Sequence, residues 1–339
     1  MTSLNFRAHA RPAWRRLLFT REAAVIAILA AVLLYANLAV SNFDSPLTMY
    51  YLFLDVTPLL LIALPLTMVI VTGEIDLSVA SVVGLSSVLV GVLYAHAGMP
   101  MWTAALTAIA VGAVCGSLNG FLVAYVGLPS LAVTIGTLAL YRGVAIGLLG
   151  TEAVTDFPET WTDLAKTRIV EGGSLPLVLV PIAVLAAATA WLLHFSPFGR
   201  GVYEVGLGRE AAHFTGVNVE RTKFLLFVLT GAVSALAGVY FTLRYGSARG
   251  DNAYGLELQV IAAVLLGGVS IFGGRGALHG PIAGVLLIGA VSSAMRLEGQ
   301  TVNAINIVIG VLLVASVVAT PVLNRVAAER AARKPKRKE

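Results

Sequence analysis

Residues 50–72 read YYLFLDVTPLLLIALPLTMVIVT, and the reading of this stretch decides the fold. Asp55 is its only charged residue. A helix needs about 20 apolar residues to cross the ~30 Å hydrocarbon layer of a bilayer, so this run is long enough. Comparable stretches recur at 23–40, 77–97, 101–126, 129–150, 175–195, 222–245, 257–273, 277–296 and 303–323. Of 339 residues, 58% are hydrophobic and 12% charged, and mean hydropathy is +0.88. The runs are unbroken rather than alternating, which excludes a membrane β-barrel and leaves helices, whose backbone groups are satisfied internally. The expected fold is all-α: a polytopic membrane protein of about ten transmembrane helices. A basic tail at 1–22, a membrane domain at 23–323 and a second basic tail at 324–339 make up the chain. The stretch 257–273 is short and rich in glycine, so it reads equally as a full crossing or a re-entrant segment.

The net charge of +5 is unevenly placed. Arg7, Arg11, Arg15, Arg16 and Arg21 precede the first span; Arg330, Arg333, Lys334, Lys336, Arg337 and Lys338 follow the last. Basic flanks of membrane spans mark the cytoplasmic side, so this charge points to membrane topology and not to nucleic acid. Both termini are expected in the cytoplasm, which requires an even number of crossings. The loop 151–174, with Glu152, Asp156, Glu159, Asp163 and Glu171, then lies outside. The loop 196–221, with Arg200, Arg209 and Arg221, lies inside. The first apolar run is longer than a signal-peptide core and lacks a cleavage site.

Several functions are disfavoured by what is missing. There is no G-x-x-x-x-G-K-[ST] to cradle nucleotide phosphates, no clustered histidines for a metal, and one cysteine, Cys115, inside an apolar run. No nucleophile–base arrangement stands out. The chain is expected to have no catalytic residues, no metal and no cofactor of its own. Ionisable groups at membrane depth are few: Asp55, Arg142 and Arg244, with Asn119 and Thr134 as polar neighbours. Such groups turn to a bundle interior or cavity. Asp55 reads as a pathway group or an interfacial carboxylate. Arg142 reads as a partner for Asp76 or for a backbone carbonyl, and Arg244 as a snorkelling terminus. Asp76 and Ser78 are placed to cap the third span. Small residues at Gly112, Gly116 and Gly120, and at Gly280 and Gly284, are spaced for close helix packing. Gly267 and Gly268 open a glycine-rich hairpin that either follows a gate or permits close backbone approach.

The inner loop carries Phe198-Gly199-Arg200, then Glu210-Ala211-Ala212-His213-Phe214-Thr215-Gly216, a short helical run stopped by glycine. This E-A-A-x-x-x-G pattern resembles the coupling segment of ABC-importer permeases. Other stretches share the likeness in the same order. Gly73-Glu74-Ile75-Asp76-Leu77-Ser78-Val79 resembles the G-G-I-D-L-S-V-G signature of sugar permeases of the ribose, rhamnose and autoinducer-2 type. Gly116-x-x-Asn119-Gly120 and the set Pro129-Ser130, Val133-Thr134, Gly136-Thr137, Arg142-Gly143 resemble its next markers. Gly255-x-Glu257-Leu258, Ile261-Ala262-Ala263-Val264, Gly267-Gly268, Ser270 and Gly273-Gly274-Arg275-Gly276 resemble the last. Glu74 and Ala80 depart from that pattern, standing where it has glycines; Gly208 replaces a common Asn, and Gln259-Val260 replaces Asp-Ala.

The resemblance implies a membrane subunit without its own ATPase site. A cytosolic ATP-binding subunit would dock on Gly199, Arg200, Glu210, Ala211, Ala212 and Gly216. An extracellular or periplasmic solute-binding protein and a second permease chain, identical or similar, would complete the importer in a bacterial inner membrane. Candidate pathway or gate residues are Asp55, Asp76, Asn119, Thr134, Arg142, Gly267 and Gly268. Two other readings remain. A branched-chain amino-acid permease shares the layout, whereas an ion-coupled secondary transporter would need more titratable groups at mid-membrane.

Overall fold

The computed structural model describes residues 21–332, so the expected tails fall largely outside the described residues. Among those residues the fold is all-helical; its only strand-like pairings are two isolated bridges, Val154 with Ala248 and Arg168 with Pro176. The helices, in chain order, are α1 (Arg21–Ala39), α2 (Pro46–Val71), α3 (Val79–Gly91, continuing as a wider π turn to His96), α4 (Met101–Gly120, continuing likewise to Tyr125) and α5 (Ser130–Leu149). Then come α6 (Glu159–Lys166), α7 (Leu179–Phe195), α8 (Pro197–Leu207), α9 (Arg209–Phe214), α10 (Val219–Tyr245), α11 (Leu256–Leu266), α12 (His279–Leu297) and α13 (Val302–Ala332).

Every expected apolar stretch coincides with a helix, but not every helix is a full straight crossing. Seven of those described are long and apolar enough to cross a membrane, or eight if the pair α7–α8, bent by 66°, is one span. The stretch at 257–273 forms a shorter apolar helix, Leu256–Leu266, whereas 303–323 lies within the 31-residue α13.

α2 is the central post, with every residue from Val56 to Val71 buried. It starts where Ser45 accepts the Thr48 N–H at 3.1 Å and Pro46 fits the first turn. Around it, glycine sets the packing distance. A Cβ on Gly116 of α4 would lie 2.2 Å from the Phe227 carbonyl oxygen of α10, and one on Gly231 would lie 2.3 Å from the Gly112 carbonyl oxygen. α12 packs on α11 in the same way: a Cβ on Gly284 would meet the Ala263 carbonyl oxygen at 2.1 Å. Lipid supplies no hydrophobic drive between helices, so such close approach supplies the attraction instead.

The loops gather at two ends. The proximal end holds 72–78, 126–129, 196–218 and 267–278: Gly274 N–H donates to the Val71 carbonyl at 2.8 Å, and Ile75 N–H to Ser130 Oγ at 3.1 Å. At the distal end Ala248 and Val154 exchange hydrogen bonds of 2.8 and 3.1 Å, and Tyr50 donates to the Lys166 carbonyl. The eighth crossing runs between these ends in two halves. Residues 246–255 descend from the distal end without helix, and α11 completes the passage to Gly267. The segment 257–273 is therefore the second half of a broken crossing.

Glycine contacts give opposite expectations at two sites. Gly116→Ala forces a methyl onto a backbone oxygen and is expected to cost about 1–3 kcal/mol. Gly310→Ala, in a helix where a Cβ meets nothing within 4 Å, is expected to stabilise by about 0.5–1 kcal/mol. Thermal unfolding of the detergent-solubilised protein checks the two signs.

Candidate coupling and translocation site

α7 ends at Ser196, which is extended (φ −102°, ψ 160°) because Pro197 follows. Ser196 Oγ then caps α8 by accepting the Gly199 N–H at 3.0 Å. Gly199 itself is buried, and a Cβ there would stand 2.0 Å from the Leu193 carbonyl oxygen, so only glycine allows the sharp elbow. α9 follows after Gly208, and Gly216 closes it at φ +87°, the left-handed stop expected from the sequence. A small core of Val205, Ala212 and Val219 fastens α8 and α9 to the start of α10. Thr215 Oγ1 donates to Glu204 at 2.8 Å, and Arg209 pairs with Glu220 at 3.0 Å. Arg200, Glu210, Ala211 and Gly216 face outward, whereas Gly199 and Ala212 are interior. Two apolar side chains protrude from this elbow: Leu207, 72% exposed, and Phe214, 90% exposed.

The elbow touches the end of α2 and the hairpin 267–276 directly. A Cβ on Gly206 would lie 1.9 Å from the Val71 carbonyl oxygen and 2.4 Å from the Gly274 nitrogen. Tyr203 donates to the Gly276 carbonyl at 2.6 Å. So α8 packs against the end of α2 and the hairpin 267–276 at once. Gly267 and Gly268 serve that hairpin by close approach: a Cβ on Gly267 would clash with Pro281 N at 2.3 Å, and Gly268 turns at φ +89°. Lys223, at the start of α10, forms an ion pair with Glu74 and is only 7% exposed. The Glu74 departure from the glycine of the sugar-permease signature thus has its counter-charge 149 residues later.

The signature loop 73–78 dips into the bundle. Asp76 Oδ1 accepts from Ser78 N at 2.9 Å and Ser78 Oγ at 2.6 Å, and Asn119 Nδ2 donates to Ser78 Oγ at 2.8 Å. Thr134 donates to the Ile75 carbonyl at 3.2 Å. Asp76, Asn119 and Thr134 thereby form one buried cluster pinning the loop to α4 and α5. Burial pushes the Asp76 carboxyl up to about 6, against the two Ser78 hydrogen bonds that oppose it. The expected capping of α3 by Asp76 and Ser78 is corrected in detail. Ser78 occupies the cap position without a side-chain bond to the helix, because its hydroxyl is turned to Asp76.

Arg142 does not meet Asp76. Its guanidinium donates to the carbonyls of Gly250 at 2.9 Å, Asn252 at 2.7 Å and Ala80 at 3.2 Å, the backbone partnership that the sequence offered as the alternative. Asp55 lies elsewhere, bound by Arg296 at 2.9 Å and Arg244 at 3.5 Å. Arg244 is therefore no snorkelling terminus: its guanidinium lies between Asp55 and the rings of Tyr51 and Tyr245, tying α10 to α2. A partner on another helix outweighed the nearby interface. The candidate residues thus occupy separate places rather than one cavity.

A family model described as "Branched-chain amino acid transport system / permease component" matches residues 48–317. The chain belongs to this permease family. It is a transport subunit in a multi-pass membrane protein, and its membership implies ATP-binding and solute-binding partners. The permease is 38% identical over 265 residues to the autoinducer 2 import system permease protein LsrD of Yersinia enterocolitica, covering 76% of this chain and 78% of that one. It is 37% identical over the same length, with the same coverage, to LsrD of Photorhabdus luminescens, and 36% identical to that of Yersinia pseudotuberculosis. No solved structure matches the permease.

Breaking the Lys223–Glu74 pair leaves one charge buried in the permease. Lys223→Met is expected to cost about 3 kcal/mol and the double variant Lys223→Met/Glu74→Met distinctly less. A double-mutant cycle on thermal stability in detergent reads the difference.

Proposed function

We propose that this permease subunit imports a sugar-like solute into the cytoplasm, powered by ATP hydrolysis on a separate subunit that grips α8 and α9. The observation that carries this reading is the elbow. It presents Leu207 and Phe214 to solvent while its other side is wedged between the end of α2 and the hairpin 267–276. An exposed aromatic beside charged Arg209 and Glu210 suits an interface anchor. A push on it is transmitted through backbone contacts, which yield less than side chains do.

On this reading the proximal end is cytoplasmic and both termini lie there. A solute-binding protein delivers its cargo at the distal end. A second permease chain, the same or similar, completes the pathway. The sugar-like solute is supported by the autoinducer 2 permeases, which match over 265 residues. The family model's own description includes branched-chain amino acids, but the relatives reported above are autoinducer 2 import permeases, so that alternative is not favoured.

The test is uptake of autoinducer 2 into vesicles holding the permease with its ATPase and binding proteins. Uptake is expected to stop with vanadate and to survive a protonophore; the reverse pattern overturns the importer reading. Phe214→Ala and Ala211→Trp are each expected to cut uptake at least tenfold while leaving the amount of inserted permease unchanged. Transport at the unaltered rate in both variants would remove the coupling role from α9.

A further inference from the structure

The break in the eighth crossing has a chemistry that packing does not explain. From Leu266 back to Glu257 the helix rises about 14 Å at 1.5 Å per residue, roughly half of the ~30 Å hydrocarbon layer. At that depth Glu257 is only partly buried, and among the described residues its carboxylate has no direct ion-pair or hydrogen-bond partner; Arg142 acts on it at longer range. One turn earlier Tyr254 is 82% exposed, its ring 5.8 Å from the Arg142 guanidinium carbon. A charge facing lipid at mid-depth costs several kcal/mol, and tyrosines that face lipid favour the interfaces over the centre. Neither group suits hydrocarbon. Above them, at the distal end, a depression of about 270 Å³ is lined by Thr151, Glu152, Arg249 and Asp251, and it borders Gly250 and Ile146 on the same face. Along the chain, polar groups thus continue from this depression at 249–252 to Glu257.

We propose that the solute pathway runs along α5 and the segment 249–259, with Tyr254 and Glu257 contacting a neutral, polyhydroxylated solute at mid-membrane. This rests on the importer reading for its direction of transport, but the location stands on the geometry. The pieces suit such a solute. A tyrosine ring offers an apolar face to the C–H side of a sugar ring and a hydroxyl at its edge. A carboxyl group offers acceptor oxygens to hydroxyl hydrogens. Arg142 is a positioning residue here: by holding the carbonyls of Gly250 and Asn252 it keeps the chain from closing into helix, which would withdraw Tyr254 from the face. In the open chain this face has no protein opposite it, and the second permease copy supplies the other wall.

Cysteine accessibility in the assembled importer tests the location without knowledge of the solute. In a Cys115→Ala background, single cysteines replace Tyr254, Glu257, Val114 on α4 and Trp191 on α7; the last two are 67% and 63% exposed on other faces. The probe is a charged, membrane-impermeant methanethiosulfonate applied to vesicles. Tyr254→Cys and Glu257→Cys are expected to react at least tenfold faster than both controls, at rates that change when vanadate traps the complex. Reaction at the control rate, or a spontaneous disulfide between two copies at Tyr254→Cys, overturns the assignment. Loss of vanadate sensitivity of transport, with fast labelling retained, sinks the importer reading instead and leaves this location standing.

Discussion

Hydrocarbon offers nothing to a backbone N–H or C=O, so a chain that abandons helix inside a membrane needs internal partners for every freed group. That constraint explains the permease around residues 246–255. Arg142 donates to the Gly250 and Asn252 carbonyls. Asn252 donates to Ser87 Oγ at 2.9 Å and to the Ser247 carbonyl at 3.0 Å. Ala248 pairs with Val154 from the distal loop. Apart from Ser247, which lies in the segment itself, the partners come from different elements: α5, α3 and the loop before α6. Remove the guanidinium and two carbonyls lose their donor at mid-membrane, each such loss costing on the order of 1–3 kcal/mol. The bundle is thus arranged to keep one crossing broken.

The second organising feature is contact without side chains. Gly206, Gly273 and Gly274 let α8, the end of α2 and the hairpin come together backbone to backbone. Gly267, Gly280 and Gly284 do the same for α11 and α12. A Cβ at any of these six would stand under 3.0 Å from a backbone or side-chain heavy atom. Side chains can change rotamer and absorb a displacement; main-chain contacts pass it on. The path from elbow to hairpin to the lower half of the broken crossing is built of such contacts, and that half carries Glu257.

Much of this was legible in the sequence. Long apolar runs fixed the helices, because the bilayer sets a length that composition can be measured against. The elbow at α8 and α9 was readable from Gly199 and from the run ending at Gly216, since those glycines have local geometric reasons. The pairing of Arg142 with carbonyls was legible only as one of two options. What could not be read was long-range. Nothing local tells Arg244 that Asp55 and Tyr51 await it on α2, or that Arg296 on α12 shares that carboxylate. The eighth crossing looked merely short, because its turn-rich half, 246–255, is too polar to register as membrane and too ordered to be a loop. Tyr254 and Glu257 had a signal after all: a tyrosine and a glutamate flanking glycine at the start of an apolar run have no obvious packing purpose.

The ion pair between Lys223 and Glu74 has a bearing on engineering. Positions 74 and 223 form a single heritable unit, although half the membrane domain separates them along the chain. Splicing a signature loop with glycine at 74 into this permease would strand a buried ammonium group, whereas transplanting both positions together would not. Chimaeras between importers therefore need crossover points that keep the third span's entrance with the seventh span's beginning, and a swap of solute preference that ignores this fails in assembly before selectivity is ever measured.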